Sequence, residues 1–249
     1  MSEQNNVRRQ PTVHRNGQRR KVSRVRMREL KRRRRNFLIA MAVAIILVIC
    51  LIRFLVIQLL PKSDVTTLTV KDNGQIVLEE VIDLSKSAGS ESELKSYVKN
   101  LVKDFDKDNG RDAVKIRRFS HVKGKMYVET RYKNAKTYSK FTGYTLYTGT
   151  VKEAMKSGYD FNDAFIKVES SGKGGALKYG KGDYIDSTKV TKEKSDKVLI
   201  IRENIRVRID GDLRYITDVA TKVDSKDAVS IAQEDGNPDA SVLTYIVYK

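Results

Sequence analysis

The chain is poor in the residues that build common catalytic and metal centres. It has one cysteine, two histidines and no tryptophan among 249 residues. A lone Cys50 excludes an internal disulfide. His14 lies in the basic N-terminal segment, so the region after residue 60 has only His121 and cannot form a multi-histidine metal site. The chain also lacks an Asn-x-Ser/Thr glycosylation acceptor. Because a eukaryotic secreted domain usually has disulfides or such acceptors, these absences favour a bacterial protein.

Motifs for chemistry are equally scarce. The stretch 170–175 is rich in glycine and serine but lacks the pattern of a phosphate-binding loop. Asp104, Asp106 and Asp108 alternate as in a calcium loop, but Lys115 stands where that loop needs its bidentate glutamate. We therefore predict a protein that is not an enzyme and has no cofactor, no catalytic residue and no metal ligand.

One long apolar run stands out against this background. Residues 37–52 contain no charged or strongly polar side chain. A helix that spans a bilayer needs about 20 residues, so the predicted transmembrane helix covers 37–60 and ends at Pro61. Its cationic flanks are Arg32, Arg33, Arg34, Arg35 and, at the far interface, Arg53.

The distribution of charge predicts the orientation of this helix. Residues 1–36 hold 12 Arg and 2 Lys against 2 Glu, a net charge of +12 out of +18 for the whole chain. Because basic flanks stay in the cytoplasm, the N-terminus is predicted inside and the larger region outside. A cleavable signal peptide is the alternative, but no Ala-x-Ala motif lies between Ile52 and Pro61.

The predicted organisation has five parts. Residues 1–36 form a disordered basic cytoplasmic arm, because they offer little apolar surface and a strong like-charge excess. Residues 37–60 form the transmembrane helix, and 61–169 form an extracytoplasmic α+β region. Residues 170–195 are expected to be a flexible Gly/Lys-rich loop. Residues 196–249 are β-rich and expected to pack on the same domain.

Local patterns predict an α+β fold of antiparallel strands with a few helices. Capping boxes at Ser90 and Thr150 predict helices that end near Gly110 and Gly158. Asn73-Gly74 and Asp210-Gly211 each predict a hairpin turn. The predicted strands are 68–70, 76–78, 113–119, 126–132, 164–168, 197–201, 205–209, 213–217, 228–232 and 242–248.

One group of arginines suggests a binding surface. Arg206 and Arg208 alternate with apolar residues, so both side chains leave the same sheet face, and Arg214 on the expected partner strand joins them. This surface would suit anionic wall polymers or phospholipid head groups. The alternative is a solvated sheet face with scattered ion pairs. Three further arginines would extend the surface: Arg117, Arg118 and Arg131.

Several segments resemble a known group of proteins. These segments are Val65–Val70, Asp72–Gly74, Glu93–Lys95, Thr145–Ala154, Gly158–Phe161 and Tyr245–Lys249. Together they resemble uncharacterised surface lipoproteins of Gram-positive anaerobes, over most of residues 65–249. The resemblance implies a location outside the membrane and no known activity. The chain differs from that group because it has a predicted transmembrane helix in place of a lipidated cysteine.

The order of elements is also similar to that of bitopic division proteins, over residues 65–132. We therefore expect a non-enzymatic, single-pass envelope protein whose outer domain binds or scaffolds. The alternatives are a divisome-type assembly factor and an envelope hydrolase or transferase. Expected partners are membrane lipid, envelope proteins or an anionic wall polymer. Nucleic acid is not expected, because no aromatic residue is interleaved with the basic residues of the arm.

Overall fold

The computed structural model describes residues 38–52, 63–86, 90–171, 178–233 and 237–249. The chain divides into two compact units, Met1–Leu59 and Leu60–Lys249. In the first unit, helix α1 covers 38–52 and exposes every side chain. Measured over the described residues, none of the helices combines the length and the apolar character needed to span a bilayer.

Several predictions concern residues outside this description. The basic arm at 1–36 and the end of the predicted transmembrane helix at 53–60 are not among the described residues. The same applies to the predicted cationic flanks, Arg32, Arg33, Arg34, Arg35 and Arg53.

Alternating apolar residues make the second unit rich in strands. Its described part contains thirteen strands and four α-helices. The strands are β1 (Thr67–Val70), β2 (Ile76–Asp83), β3 (Val114–Val122), β4 (Lys125–Tyr132), β5 (Leu146–Thr150), β6 (Phe165–Ser171), β7 (Lys178–Ile185), β8 (Lys197–Ile201), β9 (Arg206–Ile209), β10 (Leu213–Thr217), β11 (Thr221–Ser225), β12 (Ala228–Ile231) and β13 (Thr244–Tyr248). The helices are α2 (Glu91–Asn109), α3 (Ala135–Thr142), α4 (Val151–Lys156) and α5 (Ser187–Lys192).

These strands form two sheets. The seven-stranded sheet has the order β11-β12-β9-β1-β2-β4-β3, and the six-stranded sheet has the order β5-β8-β13-β10-β6-β7. The pair β1 and β9 is parallel, and the other described strand pairs are antiparallel. The prediction of an α+β fold with antiparallel sheets and few helices is confirmed.

Two apolar cores hold these layers together. The first lies between the sheets and includes Leu68 and Val207 from one sheet and Ile246 from the other. The second lies on the opposite face of the six-stranded sheet, where Val151 of α4 and Val190 of α5 cover it. The opposite face of the seven-stranded sheet, which we call the outer face, points away from the first core. Among the described residues, neither core contains a side chain from it.

The predicted helix starts are correct. Ser90 and Glu93 form a capping box at α2, and Thr150 and Glu153 form another at α4. In each box the hydroxyl accepts the backbone N–H of the glutamate, whose carboxylate in turn accepts the N–H of the capping residue. A capping box depends only on residues three positions apart, so it can be predicted from the sequence without the tertiary structure.

The first predicted hairpin is present, but its turn differs from the expected one. We expected positive φ at both residues of Asn73-Gly74, whereas Gly74 alone has it, at 79°. The turn spans Lys71 to Gln75, because the Lys71 N–H donates to the Gln75 carbonyl at 2.9 Å. Because this turn is longer than the expected two-residue turn, Asn73 does not need the left-handed conformation.

The second predicted hairpin, at Asp210-Gly211, is wrong. Strand β9 belongs to the seven-stranded sheet and β10 to the six-stranded sheet, so the turn carries the chain between sheets. Asp212 exchanges backbone hydrogen bonds with Lys249 at 2.8 and 3.1 Å, which fixes the crossing. A Cβ on Gly211 would overlap the Lys249 carbonyl oxygen. Glycine is therefore required here for close backbone approach.

The predicted loop at 170–195 is also wrong over its larger part. Residues 178–185 form β7, and 187–192 form α5. Glycine and lysine give β7 a poor intrinsic strand preference, but antiparallel pairing with β6 supplies its backbone hydrogen bonds. The sequence patterns also did not predict α3, β5 and β11. Strands from 61–169 and from 196–249 occur together in both sheets.

Candidate functional site

The outer face of the seven-stranded sheet is polar because the strands alternate. On β9, Val207 and Ile209 enter the first core, so Arg206 and Arg208 point to the outer face. The sequence predicted this shared face. The parallel register with β1 then places Thr67 beside Arg206 and Thr69 beside Arg208.

Strand register arranges the outer face in two rows that cross the sheet. The mixed row contains both signs of charge and consists of Arg206, Thr67, Glu79, Glu129 and Arg118. The cationic row contains no carboxylate and consists of Arg208, Thr69, Val77, Arg131 and Lys115. Sequence reading cannot find these rows, because their members come from five strands whose order only the fold sets.

A buried ion cluster closes one end of the mixed row. Arg118 Nη2 lies 3.1 Å from Glu79 Oε2 and 3.3 Å from Glu129 Oε2. The Arg118 and Glu79 side chains are each 7% exposed. Removing one partner from such a cluster leaves a desolvated charge, which is costly. Glu79 and Glu129 therefore have a structural role, which is to pair with Arg118.

The cations of the outer face differ in how they are neutralised. Arg206 Nε lies 3.1 Å from Asp224 Oδ2, and Arg208 Nε lies 3.7 Å from Asp227 Oδ2. Lys115 Nζ lies 3.5 Å from Asp112 Oδ1. Arg131 has no ion pair among the described residues, and its buried Nε has no hydrogen-bond partner there.

A pocket of about 180 Å³ lies where the two rows meet. Its cationic lining is Arg131, Arg208 and Lys71, and the last of these contacts Asp210 at 3.2 Å. The remaining lining residues are Ser63, Thr67, Thr69, Val77, Glu79 and Glu129. A water molecule occupies about 30 Å³ in the liquid, so the pocket has room for a phosphate-sized group with some water. Guanidinium forks and hydroxyl groups are suitable donors to oxyanions.

The structure does not bring Arg214 to this face. Arg214 lies on β10 in the other sheet, where it pairs with Asp196 and, at 3.5 Å, with Glu193. The Asp196 side chain is 1% exposed, so Arg214 compensates a buried charge. Placing Arg214 with Arg206 and Arg208 was therefore an error that followed from the wrong hairpin. Of the three arginines expected to extend the surface, Arg118 lies in the mixed row, Arg131 lies in the cationic row, and Arg117 is exposed on β3.

Two of the alternating aspartates, which lie in the last turns of α2, have structural tasks. Asp106 accepts the backbone N–H groups of Asp112 at 3.0 Å and Val114 at 3.1 Å, which ties the helix to β3. Asp104 lies 2.7 Å from Lys107 Nζ. Within the described ranges, no group of three or more His, Cys, Asp or Glu side chains has the arrangement of a metal site.

A second pocket, of about 550 Å³, opens between the sheets at one end of the sandwich. Glu80 and Glu203 line it, with Tyr144, Asn204 and mainly small or apolar residues. Tyr138 Oη donates to Glu203 Oε2 at 2.6 Å. Burial, opposed by the Tyr138 hydrogen bond and reinforced by Glu80, raises the pKa of Glu203 to about 7. Burial also raises the pKa of Glu80.

Comparison with known proteins gives no relative from which a function could be transferred. No family model matches the sequence, and no significantly similar curated protein or solved structure was found. The resemblance to surface lipoproteins stays a prediction. The function must therefore be inferred from the side chains described above.

Proposed function

We propose that this protein is a membrane-anchored, non-enzymatic binding protein whose outer face captures an anionic group of the phosphate or carboxylate class. The observation that carries the proposal is the Arg131 guanidinium, which lines a pocket with Arg208 and has no anionic partner among the described residues. A ligand oxyanion would supply that partner. The ligand would come from an anionic wall polymer or from phospholipid head groups.

The energetic argument starts from the cost of an unpaired guanidinium. A partly desolvated charge without a partner is unfavourable, and a charge-assisted hydrogen bond relieves that cost. Arg118 cannot serve a ligand in the same way, because two glutamates share it at 3.1 and 3.3 Å. Arg208 can serve, because its 3.7 Å contact with Asp227 is longer than a hydrogen bond. Arg131 and Arg208 are therefore the two side chains that we expect to contact the anion.

The proposed anchor is the apolar run at 37–60, with the arm at 1–36 in the cytoplasm and residues 61–249 outside. Support comes from the charge of +12 before the run and from helix α1, whose large apolar side chains are all exposed. Protease treatment of intact cells should remove a C-terminal tag and spare an N-terminal one. Protection of the C-terminal tag in intact cells would contradict this orientation.

The binding proposal is tested with the full-length protein in neutral detergent micelles. One arm of the experiment uses soluble poly(glycerol phosphate), and the other uses dihexanoyl phosphatidylglycerol. Titration calorimetry should detect binding to at least one of them. Binding to the polymer alone identifies a wall ligand, and binding to the lipid alone identifies a head-group ligand. Absence of binding to both would overturn the proposal.

Two substitutions locate the binding site. We expect R131Q and R208Q each to weaken binding by about 10- to 100-fold, the usual loss for a hydrogen bond to a charged group. R111Q is the matched control, because Arg111 is exposed in the turn after α2 and away from the pocket. Equal losses in all three variants would indicate attraction to overall charge and would contradict a specific site.

A further inference from the structure

The loop between β8 and β9 is tied to the segment that precedes β13. The Asn204 N–H donates to the Pro238 carbonyl at 2.8 Å. The Asn204 side-chain amide donates to the carbonyls of Asn237 at 2.9 Å and Asp239 at 3.0 Å. The Gln233 N–H donates to Asn204 Oδ1 at 2.8 Å. We call this set of four hydrogen bonds the Asn204 clasp.

The clasp lies at the mouth of the second pocket. Asn204, Asn237 and Pro238 are themselves part of the lining of the 550 Å³ cavity. Separation of residues 237–239 from Asn204 would therefore widen that cavity. The clasp consists of hydrogen bonds that lie partly at the surface, and such bonds break locally more easily than a buried core.

A buried carboxyl group stands directly beside the clasp. Glu203 precedes Asn204 and is 6% exposed. Its hydrogen-bond donor is Tyr138 of α3. Two other carboxyl groups act on it, Glu80 of β2 and Asp239 of the clasped segment. Glu80 and Glu203 have no ion pair with a basic side chain in the part of the chain that the structure describes.

The other titratable groups near Glu203 are tyrosines. Tyr132 of β4, Tyr138 of α3 and Tyr144 each interact electrostatically with Glu203. Burial raises the pKa of all three phenols above their ordinary value, so they stay neutral across the physiological range. The charge in this region therefore depends on the carboxyl groups of Glu80, Glu203 and Asp239.

We propose that the Asn204 clasp is a proton-controlled latch, closed while Glu203 is neutral and opened when Glu203 ionises. Ionisation places a negative charge beside Glu80 and Asp239 in a poorly hydrated site. Release of residues 237–239 moves Asp239 away from Glu203, which reduces the repulsion between the two carboxylates. It also admits water to Glu203, which reduces the cost of desolvating its charge. Opening is thus coupled to loss of one proton and exposes the cavity. This inference does not depend on anion binding at the outer face.

The titration range of Glu203 makes the latch relevant near neutral pH, because its pKa is raised to about 7. If the open form restores an ordinary carboxyl pKa, the opening constant should rise by up to about 30-fold between about pH 5.5 and about pH 8.5. The effect should be local and should leave the core strands unchanged.

Hydrogen exchange on the full-length protein tests the latch. The readout is the protection of the Asn204 and Gln233 amides, corrected for the intrinsic pH dependence of exchange. In the parent protein and in the control variant E169Q, protection should fall by up to about 30-fold over that pH range. Glu169 is a suitable control because its side chain is 48% exposed on β6. In E203Q, protection should not change.

A second variant keeps the test decisive if E203Q folds poorly. E80Q removes one of the charges that oppose ionisation of Glu203, so the pH midpoint of opening should move down. Constant protection in the parent protein would overturn the proposal. The same loss of protection in E203Q, or an unmoved midpoint in E80Q, would also overturn it.

Discussion

Replacing Glu203 by glutamine should remove one pH-dependent contribution to the free energy of unfolding. Burial raises the pKa of Glu203 from 4.5 to about 7, so the folded protein holds this proton more tightly than the unfolded chain. Its stabilising effect is complete below pH 4.5 and is lost as the pH rises through about 7. At 1.36 kcal/mol for each pKa unit, the total is about 3 kcal/mol, of which about 2 kcal/mol should be lost between about pH 5 and about pH 8.

The assay is urea unfolding of the full-length protein, followed by circular dichroism at several pH values. Other carboxyl groups have opposite effects, because capping lowers the pKa of Glu93 and Glu153. The difference in unfolding free energy between the parent protein and E203Q is therefore the informative quantity. Between about pH 5 and about pH 8, the unfolding free energy of E203Q should rise by about 2 kcal/mol relative to that of the parent protein. The unfolding free energy of E169Q should show no such relative rise. A difference that does not vary with pH would refute the reasoning.

Three further substitutions test the fold. R118M should cost about 3–5 kcal/mol of unfolding free energy in urea titrations, because it removes the cation that the buried Glu79 and the half-buried Glu129 share. R117M on the same strand should stay within about 0.5 kcal/mol, and equal effects would contradict the ion cluster. S90A should cost about 1 kcal/mol through loss of the α2 cap, and a neutral result in the same titration would count against that cap. G211A should lower the free energy of unfolding by roughly 1–3 kcal/mol, and so the melting temperature by several degrees, because the added Cβ would overlap the Lys249 carbonyl. An unchanged melting temperature would rule out that contact.

Local chemistry made much of the fold predictable. Ser90 with Glu93 marks a helix start, and the alternation of Met126, Val128 and Thr130 marks a half-buried strand. Both features depend on residues within a few positions of each other. The same locality explains why Arg206 and Arg208 were placed correctly on one face.

Assignments that depend on distant pairing were not predictable. Asp210-Gly211 has the composition of a hairpin turn, but the backbone of Lys249 decides its path between the sheets. Strand β7 exists because β6 pairs with it, although its own residues favour a loop. The pocket beside Arg131 depends on the order of four strands, β9, β1, β2 and β4, which no local pattern encodes.

The most direct test of the proposed function is to observe the arginine side chains while an anion binds. Nuclear magnetic resonance of the Nε–Hε groups of the full-length protein, titrated with poly(glycerol phosphate) and separately with dihexanoyl phosphatidylglycerol, reports each guanidinium individually. The account predicts that Arg131 and Arg208 shift first and saturate together, while Arg111 and Arg214 stay unchanged. Shifts spread evenly over the exposed arginines, or no shift at Arg131 with either probe, would contradict it.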